Sequence, residues 1–187
     1  MSMPGFMEIE GESQGVIEGS CIKKDFEKTI ELYSFEHNVE IPQNTSTGLF
    51  TGIRIHRPII IYKEIDRSTP KLYQALCTCE KLKTVTFSWH RFVRAGSPEL
   101  FYKVELENAS IVDVRPWIQN RRELVEHASW HQVKVDSGNG QGQVYSRSEP
   151  YENMLPHMER VSFTYEKITW TWVPDGIEYV DTWTSSE

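Results

Sequence analysis

The segment VSFTYEKITWTW, Val161 to Trp172, alternates apolar and polar side chains and changes phase halfway. Its apolar positions are odd at Val161, Phe163 and Tyr165 but even at Ile168, Trp170 and Trp172. Successive side chains of a strand point to opposite faces. Such a pattern cannot change phase without a bulge or a change of neighbouring layer. The sequence therefore predicts a bulge or strong bend near Glu166 and Lys167, the kind of device by which a barrel turns a corner.

The same period of two recurs through most of the chain. LKTVTFSWHRFV, from Leu82, sets Val85, Phe87, Trp89 and Val93 against Thr84, Thr86, Ser88 and His90, and LFYKVEL sets Leu100, Tyr102, Val104 and Leu106 against Phe101, Lys103 and Glu105. IELYSFEHNVEI reads as a strand with Tyr33, Phe35, His37, Val39 and Ile41 on one face, and GIRIHRPIIIYKEI as one with Ile53, Ile55, Ile59, Ile61 and Ile65 together. A last strand, IEYVDTW, follows the turn Pro174–Gly176. A single helix is expected, over about residues 69–79. Thr69 or Ser68 caps it, Pro70 takes its first position, and Leu72, Ala75, Leu76 and Cys79 form its apolar stripe. Two stretches read as loops: PQNTSTGLFTG before Ile53, and the polar region Arg121 to His157, where HQVKV and QVYSR either pair as a small hairpin or stay open.

Length and charge narrow the function. The 187 residues suit one domain able to bury a core without metal or disulfides. A net charge of -7, with nothing more basic than IKK and NRR, argues against nucleic acid. No stretch is apolar for long enough to span a membrane, and the start lacks the basic and apolar regions of a signal peptide, so the chain is expected to be made in the cytoplasm. Three cysteines, Cys21, Cys77 and Cys79, build no disulfide framework.

Catalytic and metal motifs are weak throughout. His127 and His131 have helical metal-ligand spacing but lack the H-E-x-x-H glutamate. His37, His56, His90 and His157 stand apart in sequence and read as satisfied imidazoles. No nucleophile elbow is present, and GNGQG leads into no lysine-bearing helix start. Cys79 is expected to pack inside and Cys77 to be a bystander. The charges of the stretch HRPIIIYKEID, namely His56, Lys63, Glu64 and Asp66, read as a wet face. No catalytic residue, cofactor or metal is expected.

Five blocks in order resemble the Hcp family, the haemolysin-coregulated tube protein of type VI secretion systems. They are MPGFMEIEGESQG from Met3, FEHNV from Phe35, HRPIIIYKEIDRSTPKLYQAL from His56, YKVELENASIVDVRPW from Tyr102 and HMERVSFTYEKITWTW from His157. The resemblance implies a mainly β fold: a compact β-barrel of two antiparallel sheets with one short helix. It implies a structural subunit, not an enzyme. Six copies would form a ring around a channel, and rings would stack into a tube that meets spike and sheath proteins and carries effectors. The subunit would leave the cell through that machinery, without membrane insertion. In the family an extended loop reaches a neighbouring ring or subunit. The matching segment runs from Pro42 to Thr51, with Pro42, Asn44, Thr45, Thr47, Leu49 and Phe50 as candidate contacts.

The departure from the family pattern is a polar insert at about residues 118–156, inside what is expected to be one domain over 1–187. Two other classes stay open beside the tube subunit. One is a monomeric β-barrel binding a small ligand in its interior, in which Leu49 and Phe50 fold back over the barrel end. The other is an enzyme using His127, His131 and His157.

Overall fold

The computed structural model describes residues 3–92, 97–118, 131–134, 143–146 and 157–182. In chain order the strands are β1 (Gly5–Gly11), β2 (Gly15–Ile17), β3 (Ile30–Leu32), β4 (Ser34–Glu36), β5 (Val39–Glu40), β6 (Ile55–His56) and β7 (Ile59–Glu64). The helix α1 (Thr69–Cys77) follows, then β8 (Leu82–Phe92), β9 (Pro98–Trp117), β10 (His131–Lys134), β11 (Gln143–Ser146), β12 (Met158–Thr164), β13 (Lys167–Trp172) and β14 (Ile177–Thr182). The chain divides into two units, Trp117–His157 and the remainder. In the smaller unit β10 and β11 pair antiparallel, from His131 opposite Ser146 to Lys134 opposite Gln143, which is the hairpin option of the sequence.

The larger unit is built on one hydrogen-bonded path, β2-β1-β8-β9-β12-β7-β4. Its antiparallel pairs run from strand to strand, and side chains alternate in and out of the core. Strand β1 carries β2 and β3 end to end, and β9 is flanked by both β12 and β13. Among the described residues the fold is thus mainly β with one α-helix, as expected. The described ladders make a branched, open path in place of a complete ring.

Besides the register shifts between Glu10 and Gly11 and between Trp89 and His90, three changes of phase among the described residues shape this path. The expected one falls at Tyr165 and Glu166. Val161 and Phe163 are fully buried in β12, which pairs with β7; Ile168 is fully buried in β13, which pairs with β9 and β14. The break therefore moves the chain between partners. A second occurs at Asn108, whose φ of 50° lets β9 turn its inward set from Val104 and Leu106 to Ala109 and Ile111. The third is at Tyr33. Ile30 and Leu32 face the core beside β1, Phe35 faces it beside β7, and Tyr33 at the step is 47% exposed instead of lying inward with Phe35.

The core enclosed by these strands includes Met7, Ile9, Ile59, Ile61, Val85, Phe87, Val104, Leu106, Val161 and Phe163, with Leu72 and Ala75 brought by α1. Full burial of a Leu, Val, Ile or Phe side chain contributes about 1.5–3 kcal/mol.

The helix ends sooner than expected, and Cys79 is exposed. Cys79 takes a left-handed φ of 53°, its N–H donating to the Leu76 carbonyl and that of Glu80 to Ala75, which closes the last turn as a Schellman cap. At the other end Asp66, not a hydroxyl of Ser68 or Thr69, does the capping: its Oδ1 accepts from the Ser68 N–H at 2.9 Å. Ile53 and Ile65 face solvent, since neither lies within β7.

The wet-face expectation fails for His56 and Lys63, which are 2% and 1% exposed. Lys63 shares its parity with Ile59 and Ile61, so strict alternation sends it inward. There its Nζ donates to Glu159 Oε1 at 2.7 Å, Asp66 Oδ1 at 2.8 Å and the Glu64 carbonyl at 2.6 Å, while the Thr69 hydroxyl donates to Glu159 at 2.8 Å. This cluster fastens the start of α1 to β7 and β12. Burial works against ionisation of Asp66, but hydrogen bonds from Lys63 and Ser68 prevail and hold its carboxyl below the ordinary range.

Candidate functional site

Between β5 and β6 the chain leaves the sheet as an arm. Its root is the pairing of Val39 with His56 and of Glu40 with Ile55. A second rung joins Gln43 to Phe50, and the Thr51 N–H donates to the Pro42 carbonyl at 2.9 Å. The tip closes on Asn44, whose Oδ1 accepts from the N–H groups of Ser46 at 2.9 Å and Thr47 at 3.2 Å. Its carbonyl accepts from the Gly48 N–H at 2.8 Å, and its own N–H donates to the Leu49 carbonyl at 2.9 Å. Gly48 has a φ of +70°, a conformation glycine adopts without steric cost.

The arm is thus held by its own backbone, and its apolar side chains point outward. Leu49 is 69% exposed, Phe50 68% and Ile53 83%. The fold-back alternative would have covered Leu49 and Phe50, and in this chain it does not occur. Of the sequence candidates, Asn44 shapes the tip and the Thr47 hydroxyl accepts the Leu49 N–H at 3.4 Å. Pro42 accepts at the rung, Thr45 is exposed at the tip, and Leu49 and Phe50 present apolar surface. Ile53 joins that surface, although the sequence pattern had assigned it to a strand face.

A chain of polar groups lies at the root. His37 Nε2 is 2.8 Å from the Tyr165 hydroxyl, which is 2.8 Å from His56 Nδ1. His56 Nε2 is 3.0 Å from Asp181 Oδ2, and Arg54 forms a two-pronged ion pair with the same carboxylate while also donating to the Thr182 carbonyl at 3.2 Å. Trp170 stacks on both imidazoles. Burial, reinforced by the neighbouring His56, pushes His37 down to about 4, and burial beside Asp181 pushes the Tyr165 phenol up. The Arg54 guanidinium holds Asp181 below the usual carboxylate range. Sequence separation hid this group, since its members come from β6, β14 and the two irregular points next to β5 and β13. The expectation of satisfied imidazoles holds for His37 and His56 but fails for His90, whose Nδ1 is buried without a hydrogen-bond partner among the described residues.

Nothing in this arrangement resembles a metal centre, and among the described residues no three metal-ligating side chains converge. His157 is exposed, His131 opens a strand instead of sharing a helix face, and His127 lies outside the described residues. An open groove of about 610 Å³ lies elsewhere on the unit, lined by Leu32, Tyr33, Phe35, Trp89, His90 and Phe101 among others.

A chain of this kind, mainly β with one helix and an exposed apolar arm, matches known proteins over nearly its whole length. Residues 6–172 fit the family model described as "Type VI secretion system effector, Hcp". The "Major exported protein" of Pseudomonas aeruginosa is 32% identical, the match covering 99% of this chain and 98% of that protein. Among solved structures, Hcp1 from E. coli EAEC 042 is 31% identical with a TM-score of 0.75, covering 97% of this chain and 99% of the other. The "Secreted protein Hcp3" of Pseudomonas aeruginosa is 27% identical with a TM-score of 0.69, covering 99% and 100%. The protein belongs to the Hcp family of type VI secretion proteins.

Proposed function

We propose that this chain is a tube subunit of a type VI secretion system, structural and not catalytic. Its larger unit closes as a barrel, and with the polar insert at about 118–156 it makes one domain over 1–187. Six copies form a ring, and rings stack into a tube that meets spike and sheath proteins and carries effectors in its channel. The subunit is made in the cytoplasm and leaves through that machinery, in keeping with the exported and secreted relatives.

The observation that carries this reading is the arm. A self-supported hairpin presenting Leu49, Phe50 and Ile53 to solvent is what a contact with another copy requires. A closed ring repeats each contact six times, so the apolar area needed per subunit is small. Light scattering on purified protein is expected to give a mass of about six subunits, and negative-stain microscopy a ring. A monomer at high concentration overturns the reading. The aromatic-lined groove of about 610 Å³ favours a second one, a monomer that binds a small ligand there. Such a monomer would show Trp fluorescence changes with ligand and no rings.

A further inference from the structure

The arm of residues 42–51 is anchored by a hydrogen-bond chain whose proton count is limited. His37 lies two residues before β5 and His56 ends the pairing of β6, so the two imidazoles bracket the arm at its root. The Tyr165 oxygen stands between them, 2.8 Å from each facing ring nitrogen. A phenol has one hydrogen to give and lone pairs with which to accept. With both imidazoles neutral, every place is filled: His37 Nε2–H donates to Tyr165, the Tyr165 O–H donates to His56 Nδ1, and His56 Nε2–H donates to Asp181.

One added proton is tolerated. Placed on His56 Nδ1 it is compensated by Asp181, and the direction reverses: Tyr165 accepts from His56 and donates to His37 Nε2. A second proton is not tolerated. Two imidazolium N–H groups then face one oxygen, the phenol hydrogen has no acceptor left in the chain, and two positive rings lie with centroids 6.5 Å apart. Among the described residues, the charged and titratable neighbours include Arg54 just past the arm and Asp181 with Tyr179 from β14. Asp181 is the carboxylate that His56 meets among the described residues, and Arg54 already engages it.

We propose that this chain is an acid-released latch, holding the arm of residues 42–51 in its neutral and singly protonated states and letting it go when both imidazoles are protonated. The inference rests on the reading of the arm as the assembly contact, and it adds a regulation that the reading does not contain. Burial keeps His37 hard to protonate, which places the release in acid.

The test follows amide hydrogen exchange at Asn44, Gly48 and Thr51 from pH 7 to pH 4 in the full-length protein, corrected for intrinsic exchange, beside sedimentation of assembled rings. In the parent protein, arm protection is expected to fall by about tenfold or more across that range, with a slope steeper than one proton. His37→Gln removes one titrating ring while keeping a donor toward Tyr165, and its slope is expected to drop to one proton or less. Tyr165→Phe is expected to loosen the arm at pH 7 already. Protection that stays flat down to pH 4 overturns the latch, as does an unchanged slope in His37→Gln. If no rings form at any pH but arm protection still follows this pattern, the assembly reading falls and the latch stands. If rings form and the arm is indifferent to pH, the reverse holds.

Discussion

Two polar chains lie buried at opposite ends of β7's neighbourhood, and their difference separates what holds this fold from what adjusts it. Beneath α1, Lys63 sits between the carboxylates of Glu159 and Asp66, with Lys63 1% and Glu159 0% exposed. At the root of the arm, Tyr165 sits between two imidazoles. The first is ionic, so its desolvation is offset only if each charge keeps its partner. The second is mostly neutral, and its hydrogens can be rearranged. Full charges out of water tolerate a single arrangement; a string of phenol and imidazoles tolerates several.

The largest difference between the two clusters is expected at Lys63. Lys63→Met leaves Glu159 buried without its cation and is expected to lower stability by about 3–5 kcal/mol, read by urea unfolding. Adding Glu159→Leu removes the stranded charge, so the double variant is expected to be more stable than the single one. Additive losses would show that the two side chains do not act as a pair. The arm root responds less: Tyr165→Phe is expected to cost about 1–3 kcal/mol by leaving a ring nitrogen unpartnered in a buried place.

Acid sharpens the contrast further. His37 is held at about 4 in the folded chain, against an ordinary value of about 6.5, so the unfolded chain binds the proton more readily. The stability it contributes is complete above about pH 6.5 and is lost as pH falls toward 4. The Asp66 carboxyl is shifted down too, but from the ordinary carboxylate range, so its contribution is present above that range and is lost only below it. Chemical denaturation at pH 7 and pH 4.5 is therefore expected to show a loss in the parent protein that His37→Gln largely removes. An equal loss in both would assign acid sensitivity to some other group. Glu80 belongs with Asp66. Burial opposes its ionisation, but the N–H groups of Gln14 and Ser13 hold it down to about 2, so it stays charged over that range.

The sequence carried the fold where alternation was unbroken and lost it where the chain changed partner. Val85, Phe87, Val104 and Leu106 were placed correctly because residues 84–89 of β8 and 102–107 of β9 pair without a register shift. The shift at Glu166 was legible because apolar residues crowd both sides of it. The shift at Asn108 was not, since Ala109 and Ser110 blur the alternation there, and Tyr33 was misassigned because an aromatic residue at a step looks like one on a strand face. Lys63 and His56 were read as wet on charge alone, although parity with Ile59 and Ile61 already pointed Lys63 inward. The arm was visible as a loop with two apolar residues in it. Its root was not, because His56 and Asp181 are 125 residues apart and nothing local marks them as partners.

The arm itself supplies the smallest effect on stability and the cleanest separation of fold from assembly. Among the described residues Leu49 and Phe50 belong to no buried cluster, and both are about two-thirds exposed, so replacing them removes little that folding had buried. Leu49→Ser with Phe50→Ser is expected to leave unfolding within about 0.5 kcal/mol of the parent protein. The tip should stay intact, because its hydrogen bonds come from Asn44, Gly48 and the backbone of residue 49. Sedimentation of the same variant is expected to show the arm-mediated association lost, since each removed side chain takes away about 1.5–3 kcal/mol of burial at every repeated contact. Unchanged association would mean that copies meet through another surface, such as β14, which among the described residues pairs only with β13 and leaves Ile177 and Tyr179 exposed.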